Sequence, residues 1–316
     1  MAVKLSVINF KGGVGKTTLS FHLAAYLSNF GRTLLVDIDH QSSLSIVLLS
    51  APKWEALVKS GNTINRLFES FCNRKVSNPG SAIVVENAFG YATNGTSTAF
   101  PNLDFVCSQF ELDDTEIDLA STNFGNINVS DWEKRTLISS WLDAIGAEEK
   151  YDYIIFDCPP ATKIVSQNAL AASDFFVIPV IPDDISSRGV THFRNLVTKK
   201  IDGRLSYLRE TARIPEADIP KNFVDETKLA AIVPSLAKIA HNSSSGLINV
   251  HTEQIASLRR RWKKNVTDTV IKNLAGVTEA MNAGWPVWNY DSRNIGSEVR
   301  DMMTNVCQEI KDRIDP

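Results

Sequence analysis

The sequence predicts a doubly wound α/β fold, in which a mostly parallel sheet carries helices on both faces. Three observations support this class: short apolar runs of strand length, helix-like segments between them, and a glycine-rich turn between the first run and the first helix. Strand, helix and strand follow one another within the first 38 residues. Such a βαβ unit places its two strands parallel in one sheet, with the crossover helix on a sheet face.

Each predicted element follows from its own stretch of sequence. Residues 4–10 form a short apolar run that stops at Gly12, which is typical of a buried strand. A helix is predicted over residues 17–28, and Gly31 supplies its end. Residues 33–38 form the next strand. Later apolar runs predict strands at residues 103–106, 153–157, 175–181 and 230–233.

Two segments interrupt this alternation. Residues 73–101 are rich in Asn, Gly, Ser and Thr and are predicted to be a long loop or insertion. Residues 203–228 are charged and are predicted to be a second, irregular insertion. Neither segment is long enough to fold around a core of its own. We therefore expect residues 1–316 to form a single elaborated domain.

The composition excludes several classes of protein. With 43% hydrophobic and 22% charged residues, the chain is not a disordered protein. Its net charge of −3 excludes a DNA-binding protein that is basic over its whole surface, but a local basic patch remains possible. The four cysteines are widely spaced and form no C-x-x-C pair, and no apolar run reaches the length of a membrane span. We expect a cytoplasmic protein.

The strongest motif is a glycine-rich loop between the first strand and the first helix, residues 11–18 (KGGVGKTT). It is a variant phosphate-binding loop, because Phe10 stands where the ordinary motif begins with Gly. The glycines let backbone N–H groups converge on an anion, and the helix N-terminus adds partial positive charge. Lys16 is predicted to reach the β and γ phosphates, and Thr17 to bind Mg²⁺. The predicted nucleotide-binding residues are Gly12, Gly13, Val14, Gly15, Lys16, Thr17 and Thr18.

Lys11, at the start of this loop, is the mark of a deviant Walker A motif. With this lysine the sequence resembles the ParA/MinD family of P-loop ATPases, and within it the ParA/Soj-type partition ATPases. Four blocks stand in the family's order, and a fifth resembles its final motif. The blocks are residues 7–18 (VINFKGGVGKTT), 35–41 (LVDIDHQ), 151–160 (YDYIIFDCPP), 177–182 (VIPVIP) and 287–293 (VWNYDSR) with Gly296.

This resemblance implies an Mg²⁺-dependent enzyme that hydrolyses ATP slowly to ADP and phosphate and is stimulated by a partner protein. Lys11 would reach across a dimer interface to the nucleotide of the other subunit, so that a homodimer sandwiches two ATP molecules. A solvated lysine beside the loop is the alternative interpretation. By the same resemblance, Lys11, Lys16 and Asp39 are the candidate catalytic residues. The preference for ATP over GTP is implied by the resemblance alone.

Phosphoryl transfer also needs charge neutralisation and a positioned water, which call for carboxylates at strand ends. Asp157 ends its predicted strand and resembles the Walker B aspartate, which holds Mg²⁺ through water. Asp39 resembles the switch I residue that positions the attacking water, and Asp37 would support the site. A turn at the strand end is the alternative, although two carboxylates on one side of a strand are costly without a cation. Thr17, Asp157 and Asp39 are the candidate magnesium ligands.

Two stretches depart from the family's pattern. The family often continues Asp-Pro-Gln-Gly-Asn in switch I, whereas this chain has Asp39-His40-Gln41-Ser42-Ser43. This difference puts the conformation of switch I and the rate of hydrolysis in question. Residues 233–235 lack the asparagine that some relatives use for adenine.

A slow ATPase that dimerises around ATP is typical of a switch, whose function depends on what the dimer binds. The sequence RRRWKK at residues 259–264 is predicted to lie on a helix with a buried stripe of Ile255, Leu258, Trp262 and Val266. Like-charge pairs four residues apart on that helix would favour a nearby anion such as DNA phosphate. A solvated helix face is the alternative. The DNA-binding candidates are Arg259, Arg260, Arg261, Lys263 and Lys264, extended by Lys199, Lys200 and Arg204.

The expected partners follow from these features. DNA binding should be non-specific, because the phosphate loop begins at residue 11 and leaves no N-terminal helix-turn-helix domain. The mixed charge of residues 308–316 disfavours a membrane-binding helix. We expect a nucleoid-associated ATPase that segregates or positions plasmid, chromosome or other cargo with a ParB-like or cargo adaptor protein. The alternatives are an ATP-gated protein scaffold without DNA binding and a metallocluster carrier, which would need paired cysteines.

Overall fold

The computed structural model describes residues 1–88, 100, 102–160, 162–240 and 246–315, without the side chains of residues 184–188. The strands of its sheet are β1 (Val3–Val7), β2 (Thr33–Asp37), β3 (Val84–Val85), β4 (Leu103–Val106), β5 (Tyr153–Asp157), β6 (Phe175–Val180) and β7 (Lys228–Pro234). Their order across the sheet is β3-β4-β2-β5-β1-β6-β7. Only the β3–β4 pair is antiparallel among these described strands. The predicted fold class is therefore confirmed.

Helices connect these strands on both faces of the sheet. They are α1 (Lys16–Leu27), α2 (Ser43–Leu49), α3 (Ala51–Lys59), α4 (Asn65–Cys72), α5 (Leu112–Ser121), α6 (Ile127–Arg135), α7 (Leu137–Ala144), α8 (Ala147–Lys150), α9 (Ile164–Ala171), α10 (Asp184–Asn195), α11 (Asp202–Thr211), α12 (Asn249–Trp262), α13 (Ala275–Asn282) and α14 (Ser297–Ile314). A π-helical stretch, Leu196–Ile201, joins α10 to α11. Across the described ranges, no helix is long and apolar enough to cross a membrane.

Successive strand residues pack into two separate hydrophobic clusters, one on each face of the sheet. In β2, Val36 contributes to the cluster that contains Trp141 of α7, whereas Leu35 contributes to the cluster that contains Leu19 of α1 and Met303 of α14. Both faces of a parallel sheet are buried, so its strands are apolar throughout rather than alternating. Each fully buried large apolar side chain stabilises the fold by about 1.5–3 kcal/mol.

The two predicted insertions differ from expectation in their local structure. Residues up to Thr211 in the segment 203–228 belong to α11, so the irregular part begins only after that helix. The sequence did not predict this helix, because most of its residues are polar or charged. Its buried side is narrow and consists of Asp202, Leu205 and Leu208. In the segment 73–101, a 3₁₀ turn and β3 are present, and residues 89–99 and 101 lie outside the described residues.

The sheet register determines where the functional loops emerge. Asp157 of β5 lies opposite Val7 of β1 on one side and Asp37 of β2 on the other. Because these three neighbouring strands are parallel, the loops that follow them leave the same edge of the sheet. Ligand sites of open α/β sheets lie at this carboxyl edge.

Candidate functional site

The phosphate loop joins β1 to α1 and depends on glycine at two positions. Gly13 has φ +68° and Gly15 has φ +84°, values that residues with a Cβ rarely adopt. Gly15 caps α1, and its carbonyl accepts the Leu19 N–H at 3.0 Å. The free N–H groups of the first turn of α1 therefore face the space enclosed by the loop.

Side chains from distant strands hold this loop in place. Asn9 Nδ2 donates to the Pro179 carbonyl at 2.8 Å, while its Oδ1 accepts the Lys11 N–H at 3.2 Å. Ser235, just after β7, donates to the carbonyl of the fully buried Val14 at 2.7 Å. Asn9 and Ser235 thus fix the loop before any ligand arrives. The sequence analysis did not identify either residue as part of the site.

Lys16 is a buried cation at the base of the loop. Its side chain Nζ lies 3.5 Å from the Lys11 carbonyl, and the residue is only 6% exposed. Burial lowers the pKa of Lys16, whereas the charges of Asp157 and Asp39 raise it. A phosphate bound in the loop would compensate the buried charge, so the predicted position of Lys16 suits its predicted role.

Asp157 is the buried carboxylate next to α1. Its Oδ1 accepts the Ser20 hydroxyl at 2.8 Å, and its Oδ2 is buried without a hydrogen-bond partner. Burial raises the pKa of Asp157, while the hydrogen bond from Ser20 and the nearby Thr17 hydroxyl lower it. Buried carboxylate oxygens normally have partners, so Oδ2 fits a bound magnesium ion or one of its waters. Thr17 and Asp157 thus lie close together beside α1, and their role as magnesium ligands stays a prediction.

Asp37 and Asp39 have different surroundings. Asp37 is fully buried and accepts hydrogen bonds from Asp39 N at 3.0 Å, Ser45 N at 3.0 Å and Ser45 Oγ at 2.6 Å. Burial, followed by the charge of Asp157, raises the pKa of Asp37. Asp37 therefore shapes the loop that carries Asp39. Asp39 Oδ1 accepts the Gln41 N–H at 3.0 Å, and both residues border the phosphate loop.

A cavity of about 400 Å³ brings the predicted site residues together. Its lining combines the phosphate loop with the loops after β2, β5 and β7: Gly12, Gly13, Val14, Gly15, Lys16, Thr17, Thr18, Asp39, Gln41, Pro160 and Leu236. Lys11 is not among these residues; its Nζ lies 2.8 Å from Asp183 Oδ2. Within one chain, Lys11 therefore lies outside the cavity that contains the other two predicted catalytic residues, Lys16 and Asp39.

A second cavity of about 260 Å³ continues from the first and is more apolar. The two share Gly15, Thr17, Thr18 and Leu236. Its other wall comes from the segment before α13 and from α13 itself: Ile271, Lys272, Asn273, Leu274, Val277, Thr278, Met281 and Asn282. This wall was not predicted, because no local pattern in residues 271–282 indicates proximity to residue 15.

The metal chemistry of the site does not require a dense ligand cluster. Across the described parts of the chain, no group of three or more His, Cys, Asp or Glu residues could hold a metal ion. Magnesium in nucleotide sites is usually held by one or two carboxylates together with phosphate oxygens and water. Asp157 and Asp39 can supply the carboxylates, and Thr17 can add its hydroxyl. Burial raises the pKa of the Cys107 thiol to about 12 and also raises that of Cys158. Cys107, Cys158 and Cys307 are buried, whereas a metallocluster held between two subunits would need cysteines at the surface.

The basic patch, residues 259–264, lies at the end of α12. Ile255 and Leu258 are buried as predicted, and Arg260 and Arg261 are exposed on the last turn. No ion pair within the described residues involves Arg260, Arg261 or Lys264. The patch is therefore open to an external anion.

Two details of this patch differ from prediction. The helix ends at Trp262, and Lys263 has φ +47°, so the predicted helical pairs Arg259–Lys263 and Arg260–Lys264 do not form. Arg259 donates to the Thr267 and Asp268 carbonyls at 3.3 and 2.7 Å, which commits much of its guanidinium to this turn. The sequence did not reveal the helix end because a Lys, rather than a Gly, occupies the left-handed position.

The residues of the predicted extension of the patch have different surroundings. Lys199 and Lys200 are exposed in the π-helical stretch after α10, and Arg194 of α10 lies over the Trp262 ring at 5.7 Å. Arg204, however, donates to Asp131 of α6 at 3.1 Å and is occupied there. A cleft of about 980 Å³ lies between α12 and α14, but its lining excludes the phosphate loop.

Comparisons with known proteins show the family and the fold of this chain. Residues 2–207 match the model of a family described as an AAA domain. The chain is 29% identical over 296 residues to the sporulation initiation inhibitor protein Soj of Bacillus subtilis, covering 93% of this chain and 94% of Soj. It is 28% identical over 298 residues to the chromosome partitioning protein ParA of Caulobacter vibrioides, covering 93% and 89%. An ATP complex of a Cyanothece McdA variant superposes with a TM-score of 0.68 and 19% identity, covering 100% and 98%.

Proposed function

The chain belongs to the AAA domain family and is a P-loop ATPase of the ParA type, and on this premise we propose that it is an ATP-dependent dimerising switch. In its ATP-bound dimer it binds DNA without sequence specificity and segregates or positions a plasmid, chromosome or other cargo. The relative from Caulobacter vibrioides carries the name chromosome partitioning protein, which supports a positioning role. A ParB-like or cargo adaptor protein would stimulate hydrolysis, and DNA binding would place the protein on the nucleoid.

One observation carries the enzymatic part of the proposal. Lys16, Thr17 and Asp39 line one cavity, and the unpartnered Oδ2 of Asp157 lies beside α1. Lys16 would hold the β and γ phosphates, and Asp39 would orient the attacking water. Magnesium, when bound, supplies charge neutralisation at the phosphates, held by Thr17 and Asp157. The remaining catalytic effect is positioning by a rigid loop, which Asn9 and Ser235 anchor.

The larger pocket system supports a nucleoside triphosphate rather than a free phosphate. The apolar cavity of about 260 Å³ adjoins the phosphate loop at Gly15, Thr17 and Thr18. A flat base can be buried there against Leu274 and Val277, while its phosphates lie in the loop. Selectivity for ATP remains implied by the family.

The basic patch supports the DNA-binding part of the proposal. Arg260, Arg261 and Lys264 are exposed at one end of α12. Their charges would neutralise DNA phosphates and release counterions, so binding should weaken steeply with salt. A dimer would present two patches, and linking them raises retention on DNA far above that of one patch.

A protein scaffold without DNA binding is the second candidate. Phe110, two residues before α5, is 54% exposed, and Ile117 of α5 is 61% exposed. Exposed large apolar side chains of this kind are available to a protein partner, which is the observation that favours this candidate. This candidate keeps the ATP cycle and replaces DNA by a protein.

A single experiment distinguishes the two candidates. The Asp39→Ala protein is applied to arbitrary duplex DNA with ATP or with ADP, across a salt series. Retention that requires ATP and decreases with salt supports the DNA-binding switch. Absence of retention with either nucleotide, in a variant that still binds ATP, contradicts it and favours the scaffold.

A further inference from the structure

Lys11 forms an ion pair within its own chain. Its Nζ lies 2.8 Å from Asp183 Oδ2, and the two side chains are 35% and 34% exposed. Asp183 follows β6, in a tight turn where its N–H donates to the Ile181 carbonyl at 2.7 Å. The ion pair therefore connects the phosphate loop to the start of α10.

Phe10, the residue before Lys11, contacts the same segment. A Cβ on Gly189 of α10 would lie 2.6 Å from Phe10 Cζ, so a larger residue at this position would displace the Phe10 ring. The ring also packs near Phe193 and His192, with centroids 6.2 and 6.4 Å away. Phe10 and Lys11, at the start of the phosphate loop, thus both contact the segment formed by the turn after β6 and α10. This contact also explains why Phe10 can replace the usual glycine, since its side chain points toward α10.

We propose that Asp183 is a positioning residue that holds Lys11 in its own subunit and competes with the partner subunit's nucleotide for it. This inference rests on the proposed function, in which Lys11 reaches the nucleotide of a second copy. In this proposal, a Lys11 ammonium that extends to the partner subunit's nucleotide gives up its 2.8 Å contact with Asp183. Formation of the ATP-bound dimer therefore requires Lys11 to leave Asp183.

The symmetry of the dimer doubles this effect. A twofold dimer exchanges two Lys11–Asp183 pairs for two contacts with nucleotide. One partly exposed ion pair changes an equilibrium by about 1.4- to 5-fold. Two pairs change the dimerisation constant by about 2- to 30-fold. Asp183 would thus act against premature dimerisation at low protein concentration.

The test measures dimerisation separately from nucleotide binding. Wild type, Asp183→Asn and Asp183→Glu are examined by sedimentation with Mg²⁺ and a non-hydrolysable ATP analogue, over a range of protein concentrations. We expect Asp183→Asn to dimerise about 2- to 30-fold more tightly, and Asp183→Glu to behave like wild type, because it keeps the ion pair. Affinity of the dilute monomer for a fluorescent ATP analogue should not change.

Two further variants make the result specific. Asp225→Asn removes an ion pair with Arg209 of α11, away from the phosphate loop, and should leave dimerisation unchanged. Gly189→Ala displaces Phe10 but keeps both charges, and should tighten the dimer by less than Asp183→Asn. It also tests the inference if Asp183→Asn folds poorly.

The outcomes separate the inference from the proposed function. Unchanged or weaker dimerisation of Asp183→Asn, in a protein whose wild type dimerises, overturns the inference alone. A wild type that stays monomeric with the analogue, or a Lys11→Ala variant that dimerises normally, overturns the proposed role of Lys11. The inference about Asp183 then falls with it.

Discussion

The phosphate loop and the basic patch at the end of α12 both present cations to an anion, but they do so in opposite environments. Lys16 is 6% exposed and lies near the buried carboxylate of Asp157. Arg261 and Lys264 are exposed to solvent. A buried charge is costly unless it is compensated, whereas an exposed charge is hydrated and screened by salt.

This difference determines what each region can do. The buried loop imposes one geometry on its ligand, which catalysis requires. The exposed patch tolerates many arrangements, which suits binding to any DNA sequence. Removal of a single side chain should therefore greatly reduce ATP binding or hydrolysis in the loop. In the patch, each removed charge should weaken DNA binding by a smaller step.

Replacement of Asp39 by Ala is the strongest test of the buried region. Loss of the group that orients water should lower ATP hydrolysis by about 100- to 10,000-fold. ATP affinity should stay within a few fold, because Asp39 contacts Gln41 N and borders the loop rather than forming it. Single-turnover hydrolysis and equilibrium binding are the measurements. Replacement of the neighbouring His40 by Ala is the control, and wild-type turnover in Asp39→Ala would remove Asp39 from the mechanism.

The second test removes the buried cation. Lys16→Ala should weaken ATP binding by about 10- to 150-fold, the range for a hydrogen bond to a charged group. A fluorescent ATP analogue measures the affinity, and thermal unfolding checks the fold. The exposed Lys200→Ala serves as a control that removes the same charge from the surface. Equal ATP affinity in Lys16→Ala and wild type would contradict the site assignment.

The two regions also show which features could be predicted from the sequence and which could not. The phosphate loop and the strands around it were predicted correctly, because glycine spacing and apolar runs are local signals. Asn9 and Ser235 were missed, because their contacts join residues 170 and 221 positions apart in the chain. The second cavity was missed for the same reason. In the patch, the sequence indicated the charges but not the helix end at Trp262. Glycine usually marks the end of a helix, but here Lys263 takes that position.

A pH series tests how much the stability of the buried region depends on a neutral histidine, His22. His22 of α1 is fully buried, accepts the Val287 N–H at its Nε2, and has a pKa lowered by burial to about 4. Because the unfolded histidine titrates near pH 6.5, the stability from its neutral form is present above that pH and decreases as pH falls toward 4. The free energy of unfolding should decrease by about 3 kcal/mol at most from this group.

Urea unfolding of wild type and His22→Asn at several pH values measures this effect. The Asn side chain can still donate to the Thr18 carbonyl, which accepts a hydrogen bond from His22 Nδ1 at 2.7 Å. The variant should lose the part of the acid sensitivity that His22 contributes. Parallel pH profiles for the two proteins would show that another group is responsible.

Charge reversal tests the exposed region. Arg260, Arg261 and Lys264 changed together to Glu should lower retention on DNA at least about tenfold and reduce its salt dependence. ATP hydrolysis without DNA should be unchanged, because these residues are absent from the nucleotide cavities. The matched control reverses the exposed Lys59, Lys75 and Lys228, which gives the same net charge. Equal loss in the control would mean that total charge, rather than this patch, governs binding.

The smallest effect concerns backbone strain, which the two regions handle differently. The phosphate loop has glycine at positive φ, as at Gly13 and Gly15, whereas the patch has Lys263 at φ +47° and ψ −123°. Lys263→Gly should therefore stabilise the fold by about 1 kcal/mol while slightly weakening DNA retention. Urea unfolding and DNA titration measure the two effects. Lys264→Gly loses the same charge without the positive φ and should gain no stability. A gain in stability without loss of DNA retention would mean that the Lys263 charge does not contact DNA, which would restrict the interface to Arg260, Arg261 and their neighbours.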